Sequence, residues 1–432
     1  MDDDKRVIKT RDMHRLAEYR EYLRSHPRLT YLFAELTDRC NLSCLHCGSS
    51  CGDGRGRNLD TALLLRTLED VSQDFEPRTV MICLTGGEPL LHPDFFTIAD
   101  RIHSLGFPWG ITTNGTLIDS ARAQKMAALG LNSVTLSLDG LEETHDALRR
   151  VKGSFRKVLS AVEHLHSAGI KVQITSVIHT GNYCELERMF ELMCDLKVES
   201  WRVINIEPIG RALEHPELLL SDKQMLGLLN FIREKRYSAS TPMDVCFGCS
   251  HYLSFEYEHE LRDNYFICGS GIYVASILCN GGIYSCLDIE RRPELIQGNI
   301  SRDRFSEVWR NGFREFRSDR TELCEECRRC SEREFCAGDS THTWDFDANM
   351  PMFCIKSIVV SGQWLVESKK HSAALIKRAN ASAGSRGLVP WRVQGRCPAG
   401  VAVLPKAKQQ GQRPSLQRTE IKKYPGATDK GK

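Results

Sequence analysis

Apolar and β-branched residues gather in short runs that recur along the first half of the chain. They are TYLFAELT from Thr30, TVMICLT at 79–85, WGITT at 109–113, SVTLSL at 133–138, VQITSVI at 172–178 and WRVINIE at 201–207. Each run has strand length and strand composition. Between them lie helix-length amphipathic stretches such as the one from Ser154 to Ala168. Strands alternating with helices predict repeated βα units on a parallel sheet. Six strands fall short of the eight of a complete barrel, so the expected α/β fold is a partial (β/α)6 TIM barrel. Ahead of the first strand the chain is polar, with a helix expected from Asp12 to Arg24.

Composition narrows the class. With 432 residues, 41% hydrophobic and 26% charged, the chain has length for two or three domains and ample core. No run of about 18 uninterrupted apolar residues occurs. The opening MDDDKRVIKTRDMHR lacks the apolar segment of a signal peptide. Neither a membrane span nor export is expected, and the expected location is cytoplasmic. The formal net charge of +2 hides an asymmetry, because residues 358–432 carry 15 Lys and Arg against 3 Asp and Glu, which leaves the preceding body net acidic. An acidic body argues against nucleic acid as its main partner. The basic tail is rich in Gly, Pro and Gln without periodicity and reads as disordered.

Eighteen cysteines require an explanation. In a reducing compartment they are better read as metal ligands than as disulfides. Three of them, Cys40, Cys44 and Cys47, fall within eight residues in RCNLSCLHCGSSCG, just past the carboxyl end of the first strand, where barrel enzymes build their sites. Three thiolates leave a tetrahedral zinc site one ligand short, which Cys51 or His46 would have to supply. Alternatively, they hold an iron–sulfur cluster on three corners, with the fourth iron free for a substrate or cofactor.

This loop resembles the cluster-binding loop of the radical S-adenosylmethionine superfamily, in which the open iron of a 4Fe-4S cluster chelates the methionine part of the cofactor and one electron cleaves its sulfonium to a 5'-deoxyadenosyl radical. His46 departs from the pattern, which often has an aromatic residue there. Gly86-Gly87-Glu88-Pro89 resembles the family's GGEP loop, whose glycines let backbone approach a ligand closely. The resemblance implies that Gly86, Gly87 and Glu88 receive the methionine ammonium. It also implies that Asn114, Ser137 and Asp139 contact the ribose and carboxylate. Read alone, Thr113-Asn114-Gly115 and Asp139-Gly140 are turn chemistry. HDALRRVKGSFRKV and EPIGRA from Glu207 resemble the family too, with His145 read as a helix-start residue rather than a base.

A second cysteine field follows: Cys268, Cys279 and Cys286 around NGGIYSC, then Cys324, Cys327, Cys330, Cys336 and Cys354. Its C-x2-C pairs also suit a zinc ribbon. It resembles the SPASM extension of radical enzymes that modify peptides, which carries one or two auxiliary 4Fe-4S clusters. That resemblance implies an outer cluster on Cys327, Cys330, Cys336 and Cys354. The inner cluster keeps Cys268 and Cys286, but where the pattern places its next cysteine the chain has Ser340. The missing ligand is expected from Cys324 first, with Cys279, Cys249 or an open iron as alternatives. The expected organisation is a helical extension over 1–28, a radical core over 29–245, the SPASM region over 246–357 and the tail over 358–432.

The resemblance implies an enzyme that cleaves S-adenosylmethionine reductively and modifies a ribosomally made peptide by crosslink, thioether or epimerisation, with flavodoxin or ferredoxin as low-potential electron donor. No catalytic side chain beyond the ligands is identified. Only 39 residues precede Cys40, too few for the leader-binding domain of some relatives, so substrate recognition is expected from the SPASM region or a partner. An anaerobic sulfatase-maturating enzyme is the rival; there an Asp directly follows the cysteine matching Cys286. Here Leu287 does, and on a strand the shift to Asp288 would turn the carboxylate to the other face. A non-catalytic iron–sulfur or zinc scaffold leaves the GGEP loop and the barrel pattern without use.

Overall fold

The computed structural model describes residues 3–52, 56–248 and 251–361. The six expected strands form in order: β1 (Tyr31–Glu35), β2 (Met81–Thr85), β3 (Trp109–Thr113), β4 (Ser133–Ser137), β5 (Val172–Ile178) and β6 (Ser200–Asn205), each parallel to the next. Three short strands extend the sheet beyond β1, and one extends it beyond β6. They are β7 (Asp244–Phe247), parallel to β6, then β8 (Val274–Ile277), parallel to β1, and the antiparallel β9 (Gly282–Tyr284) and β10 (Gly298–Asn299). The sheet therefore continues through the cysteine-rich region, and β7 crosses the boundary drawn between residues 245 and 246.

Helix α1 (Asp3–Ser25) precedes the barrel, and α2 (Thr61–Asp74), α3 (Phe95–Ser104), α4 (Ser120–Ala128), α5 (Glu142–Arg149), α6 (Ser154–Ser167), α7 (Leu186–Asp195) and α8 (Asp222–Tyr237) follow the barrel strands and cover the outer face. Local chemistry starts several of them. The Asp60 side chain accepts from Leu63 N–H at α2 and the Asp119 side chain from Arg122 N–H at α4, and Ser221 with Gln224 closes a capping box on α8. The α1 helix is longer than expected. Its Met13 packs with Tyr252 and Phe266, and Arg20 donates to the carbonyls of Glu334 and Phe335, so it clasps the cysteine-rich region rather than the barrel.

Burial alternates along β2, β4, β5 and β6. Ile82, Leu84, Val134, Leu136, Val172, Ile174, Trp201 and Val203 pack into the core under the helices. Their neighbours Cys83, Thr85, Thr135, Ser137, Gln173, Thr175 and Arg202 are half-buried on the opposite face, which lines the lumen. Thr135 Oγ1 donates to Gln173 Oε1 at 3.0 Å, and Gln173 Nε2 donates to Ser200 Oγ at 2.9 Å. A complete TIM barrel fills this space with branched apolar side chains. Here polar side chains such as Thr135, Gln173 and Thr175 take that place.

At the other end, the helix Ile355–Ser361 buries Ile355 and Ile358 in the main core, so ordered chain runs past the expected start of the tail. The rest of that basic segment lies outside the described residues, as does Cys249. No helix among the described residues is long and apolar enough to cross a membrane.

Candidate active site at the cluster loop

The loop after β1 is held from two sides by glycines. Gly87 N–H donates to Thr37 O at 2.7 Å and Glu88 N–H to Arg39 O at 2.9 Å. A Cβ on Gly86 would lie 2.4 Å from Thr37 O, and one on Gly87 would lie 2.4 Å from Arg39 O. Gly210, at φ +56°, packs equally close to the carbonyls of Cys47 and Gly48. The GGEP glycines thus admit the backbone of the cluster loop itself, where the sequence suggested a ligand.

Cys40, Cys44 and Cys47 face one another closely enough for each ionised thiol to disfavour the next. Burial pushes the Cys40 thiol up to about 11 and also raises Cys44, while a hydrogen bond from Cys51 brings Cys47 down to about 6. Donors already point at the sulfurs: Leu42 N–H at 3.4 Å and Asn114 Nδ2 at 3.9 Å from Cys40, and Arg149 Nη1 at 3.6 Å from Cys44. His46 turns away, with Nε2 4.0 Å from Asp139 Oδ2. Among the described residues no three cysteine sulfurs gather within 4.8 Å. A single tetrahedral zinc with Zn–S near 2.3 Å would draw its sulfurs to about 3.8 Å apart. The wider spacing fits a multi-iron cluster.

The remaining rim residues divide into two groups. Asn114 is 7% exposed beside Cys40, and Ser137 is half-buried at the end of β4. Glu88 and Asp139 are both 0% exposed and bonded inside the protein. The Glu88 carboxylate accepts from Thr113 Oγ1 at 2.7 Å, Asn114 N–H at 2.9 Å and Leu90 N–H at 3.2 Å, tying the second strand loop to the third. Asp139 accepts from Val177 N–H at 2.9 Å and takes Arg149 in a fork of 2.7 and 2.5 Å. Burial alone would raise the Asp139 carboxyl, but the charges of Arg149, His46 and His145 override it and hold it down to about 2. His145, in the first turn of α5, accepts at Nδ1 from Asp139 N–H at 3.0 Å. Arg149 is the residue that sequence reasoning passed over, although it stands in HDALRR.

In the second field, Cys327, Cys330, Cys336 and Cys354 face one another as the outer set. Lys356 Nζ donates to Cys330 Sγ at 3.1 Å. Cys268 and Cys286 face each other as the inner pair. Burial would raise Cys268, yet the charge of Arg320 and the hydrogen bonds of Thr341 bring it down to about 7. The structure does not bring Cys324 to this pair. Its thiol is hydrogen-bonded with that of Cys327, and its sulfur lies 3.2 Å from Glu326 Oε2. Cys279 turns to Glu35 and Asp38. What faces Cys268 is Thr341 Oγ1 at 3.2 Å and Ser340 Oγ at 4.0 Å. Cys324→Ala is therefore expected to keep the full iron content of reconstituted protein, and a loss of one cluster's iron would restore Cys324 to the ligand set.

The Asp288 argument also changes. The strand ends at Tyr284, so Cys286 to Asp288 form a turn, and Asp288 Oδ2 lies 3.9 Å from Cys286 Sγ. Strand alternation does not apply there.

A partial barrel with three thiols at its mouth and a second, cysteine-rich field beside β1 has the ligand sets of an iron–sulfur protein, in which the three thiols would hold a four-iron cluster and leave its fourth iron for a cofactor. The radical SAM superfamily pattern matches residues 34–193, and the SPASM iron–sulfur cluster-binding domain matches residues 268–331. The chain is 29% identical over 322 residues to the AdoMet-dependent heme synthase of Methanosarcina barkeri, covering 70% of this chain and 89% of that one. It is 30% identical over 313 residues to the mycofactocin maturase MftC of Mycobacterium ulcerans, covering 70% of this chain and 80% of that one. Its fold is similar to that of native anSMEcpe with bound AdoMet and a peptide, with a TM-score of 0.61 at 20% identity over 82% of this chain and 100% of that one. The chain belongs to the radical SAM superfamily, with a SPASM domain. Its cofactors are S-adenosylmethionine and 4Fe-4S clusters.

Proposed function

We propose that the chain is a maturase of a ribosomally made peptide. The observation that supports this reading is the similarity to mycofactocin maturase, 30% over 313 residues, a span long enough to take in both the barrel and the cysteine-rich region. When bound, the cluster and S-adenosylmethionine supply one-electron cleavage of the sulfonium and a hydrogen-abstracting radical. The protein's own part is placement. Cys40, Cys44 and Cys47 hold the cluster, and Gly87 and Gly210 fix their loop. Glu88 locks the loop after β3, so that Asn114 and Ser137 face the cofactor from the rim. The polar lumen below shelters the reacting carbon from bulk water. Cys327, Cys330, Cys336 and Cys354 hold the outer cluster, and Cys268 and Cys286 contribute to the inner one, positioned to take the surplus electron. A flavodoxin or ferredoxin in the cytoplasm supplies the reductant.

A second reading has its own support. Arg211 Nη2 and Arg291 Nη1 are buried beside the cluster loop without a partner among the described residues, and Arg211 Nε is fixed on Cys44 O at 2.7 Å. Such donors suit a substrate carboxylate, as a tetrapyrrole side chain would present, and heme synthases are among the similar proteins. The test is one anaerobic assay with dithionite, S-adenosylmethionine and three substrates in turn: a precursor peptide encoded beside the gene, Fe-coproporphyrin III, and a sulfatase peptide bearing cysteine. The expected result is 5'-deoxyadenosine formed in step with a mass change of the precursor peptide. Turnover of the porphyrin or the sulfatase peptide with the precursor unchanged would reject the proposal.

A further inference from the structure

Three side chains from distant parts of the chain converge at the seam between barrel and SPASM domain. Glu207 follows β6, His251 lies between β7 and β8, and His342 comes two residues after Ser340. Glu207 Oε1 is 2.9 Å from His251 Nε2 and 2.9 Å from His342 Nε2. Among the described residues no other three metal-ligating side chains bring their donor atoms within 4.8 Å. His251 is fully buried, and the side chains of Glu207 and His342 are each 10% exposed.

The far nitrogen of each ring is also engaged. His251 Nδ1 lies 3.1 Å from Asp339 Oδ2, and Asp339 is itself held by Tyr252 N–H at 2.8 Å. His342 Nδ1 lies 2.7 Å from Ser340 Oγ. His251 thus stands between two carboxylate oxygens, and both can only accept. A neutral imidazole has one N–H and one lone pair. Once its N–H goes to Asp339, the Nε2 lone pair is aimed at Glu207 Oε1. The same holds for His342 when Nδ1–H goes to Ser340. A cation between the three atoms turns these lone pairs from opposed into shared. A divalent one also balances Glu207 and Asp339 with both rings neutral. Without it, His251 has to be an imidazolium to donate to both Glu207 and Asp339, while His342 can donate from Nε2 to Glu207 and accept from the Ser340 hydroxyl at Nδ1.

Two imidazoles and one carboxylate form the donor set of mononuclear ferrous sites with open positions. A far nitrogen tied to a carboxylate or hydroxyl is the usual way a ligating histidine is oriented. Ser340 occupies the place where the SPASM pattern has a cluster cysteine, so its hydroxyl serves a histidine instead of an iron. We propose that Glu207, His251 and His342 bind one divalent transition metal, ferrous iron being the best match, outside the iron–sulfur clusters. Its open positions take an oxygen ligand, and the carboxylate or carbonyl of a substrate at the barrel mouth is the class that fits. The proposal stands whichever substrate the barrel accepts.

The test uses the reconstituted holoenzyme, loaded with Mössbauer-active iron and desalted. A high-spin ferrous component of nitrogen and oxygen coordination is expected at about one per chain, beside the cluster components. It should vanish in Glu207→Gln and in His342→Ala with cluster iron unchanged. Titration with divalent manganese, followed by loss of the free-ion electron paramagnetic resonance signal, provides a second reading on variants that reconstitute poorly. Ser340→Ala, which keeps all three ligands, is expected to weaken manganese binding about 10–100-fold. The proposal is overturned if the wild type shows neither the ferrous component nor manganese uptake, if either persists in both ligand variants, or if His342→Ala removes a whole cluster's iron.

Discussion

Alanine at Cys40, Cys44 and Cys47 together is expected to abolish 5'-deoxyadenosine formation and to lower iron content by one 4Fe-4S cluster, leaving the auxiliary iron in place. The three sulfurs stand in one loop between the GGEP glycines and Gly210, with the Cys51 thiol beside them. Cys51 alone cannot hold a cluster. The outer set hangs on a separate scaffold between Cys327 and Cys354, so its iron is retained. Anaerobic iron and sulfide quantification with chromatography of the nucleoside product reads both parts at once. A triple variant that still makes 5'-deoxyadenosine contradicts the assignment.

Arg149→Leu should destabilise the protein by about 3–5 kcal/mol, because it strands a fully buried carboxylate. Asp139 is 0% exposed, and Arg149 is its forked partner at 2.7 and 2.5 Å. The same guanidinium points a third N–H at Cys44 Sγ, so the variant should also load the radical cluster less completely. Arg149→Lys keeps a charge but not the fork and should lie between. Adding Asp139→Asn to Arg149→Leu removes the stranded charge and should recover part of the loss. Anaerobic denaturant titration measures all four proteins, and a loss under about 1 kcal/mol for Arg149→Leu would show that water reaches Asp139.

Helix α6 and strands β3 and β5 could be read to within a residue at either end, because their signal is local: side-chain periodicity and a turn on each side. The three-thiol loop was legible for the same reason, since ligands within eight residues are brought together by the chain's own short reach. The polar lumen was less visible. Strand runs such as MICLT and SVTLS look uniformly buried until the outer helices show which alternate residues they cover.

Other features depended on packing between segments far apart in sequence. Glu88 and Asp139 sit in motifs that suggest a ligand, but the neighbouring loops enclose them and supply their donors. Cys324 is close in sequence to a cysteine field with a vacancy, yet the turn at residues 325–328 directs it to Cys327. Asp288 reaches Cys286 because β9 stops at Tyr284. The Glu207, His251 and His342 cluster joins residues 44 and 135 positions apart, and nothing in their local sequence requires them to meet. Their meeting depends on how the SPASM region joins the barrel, which is decided by β7 pairing with β6 and β8 with β1 at the two edges of one sheet.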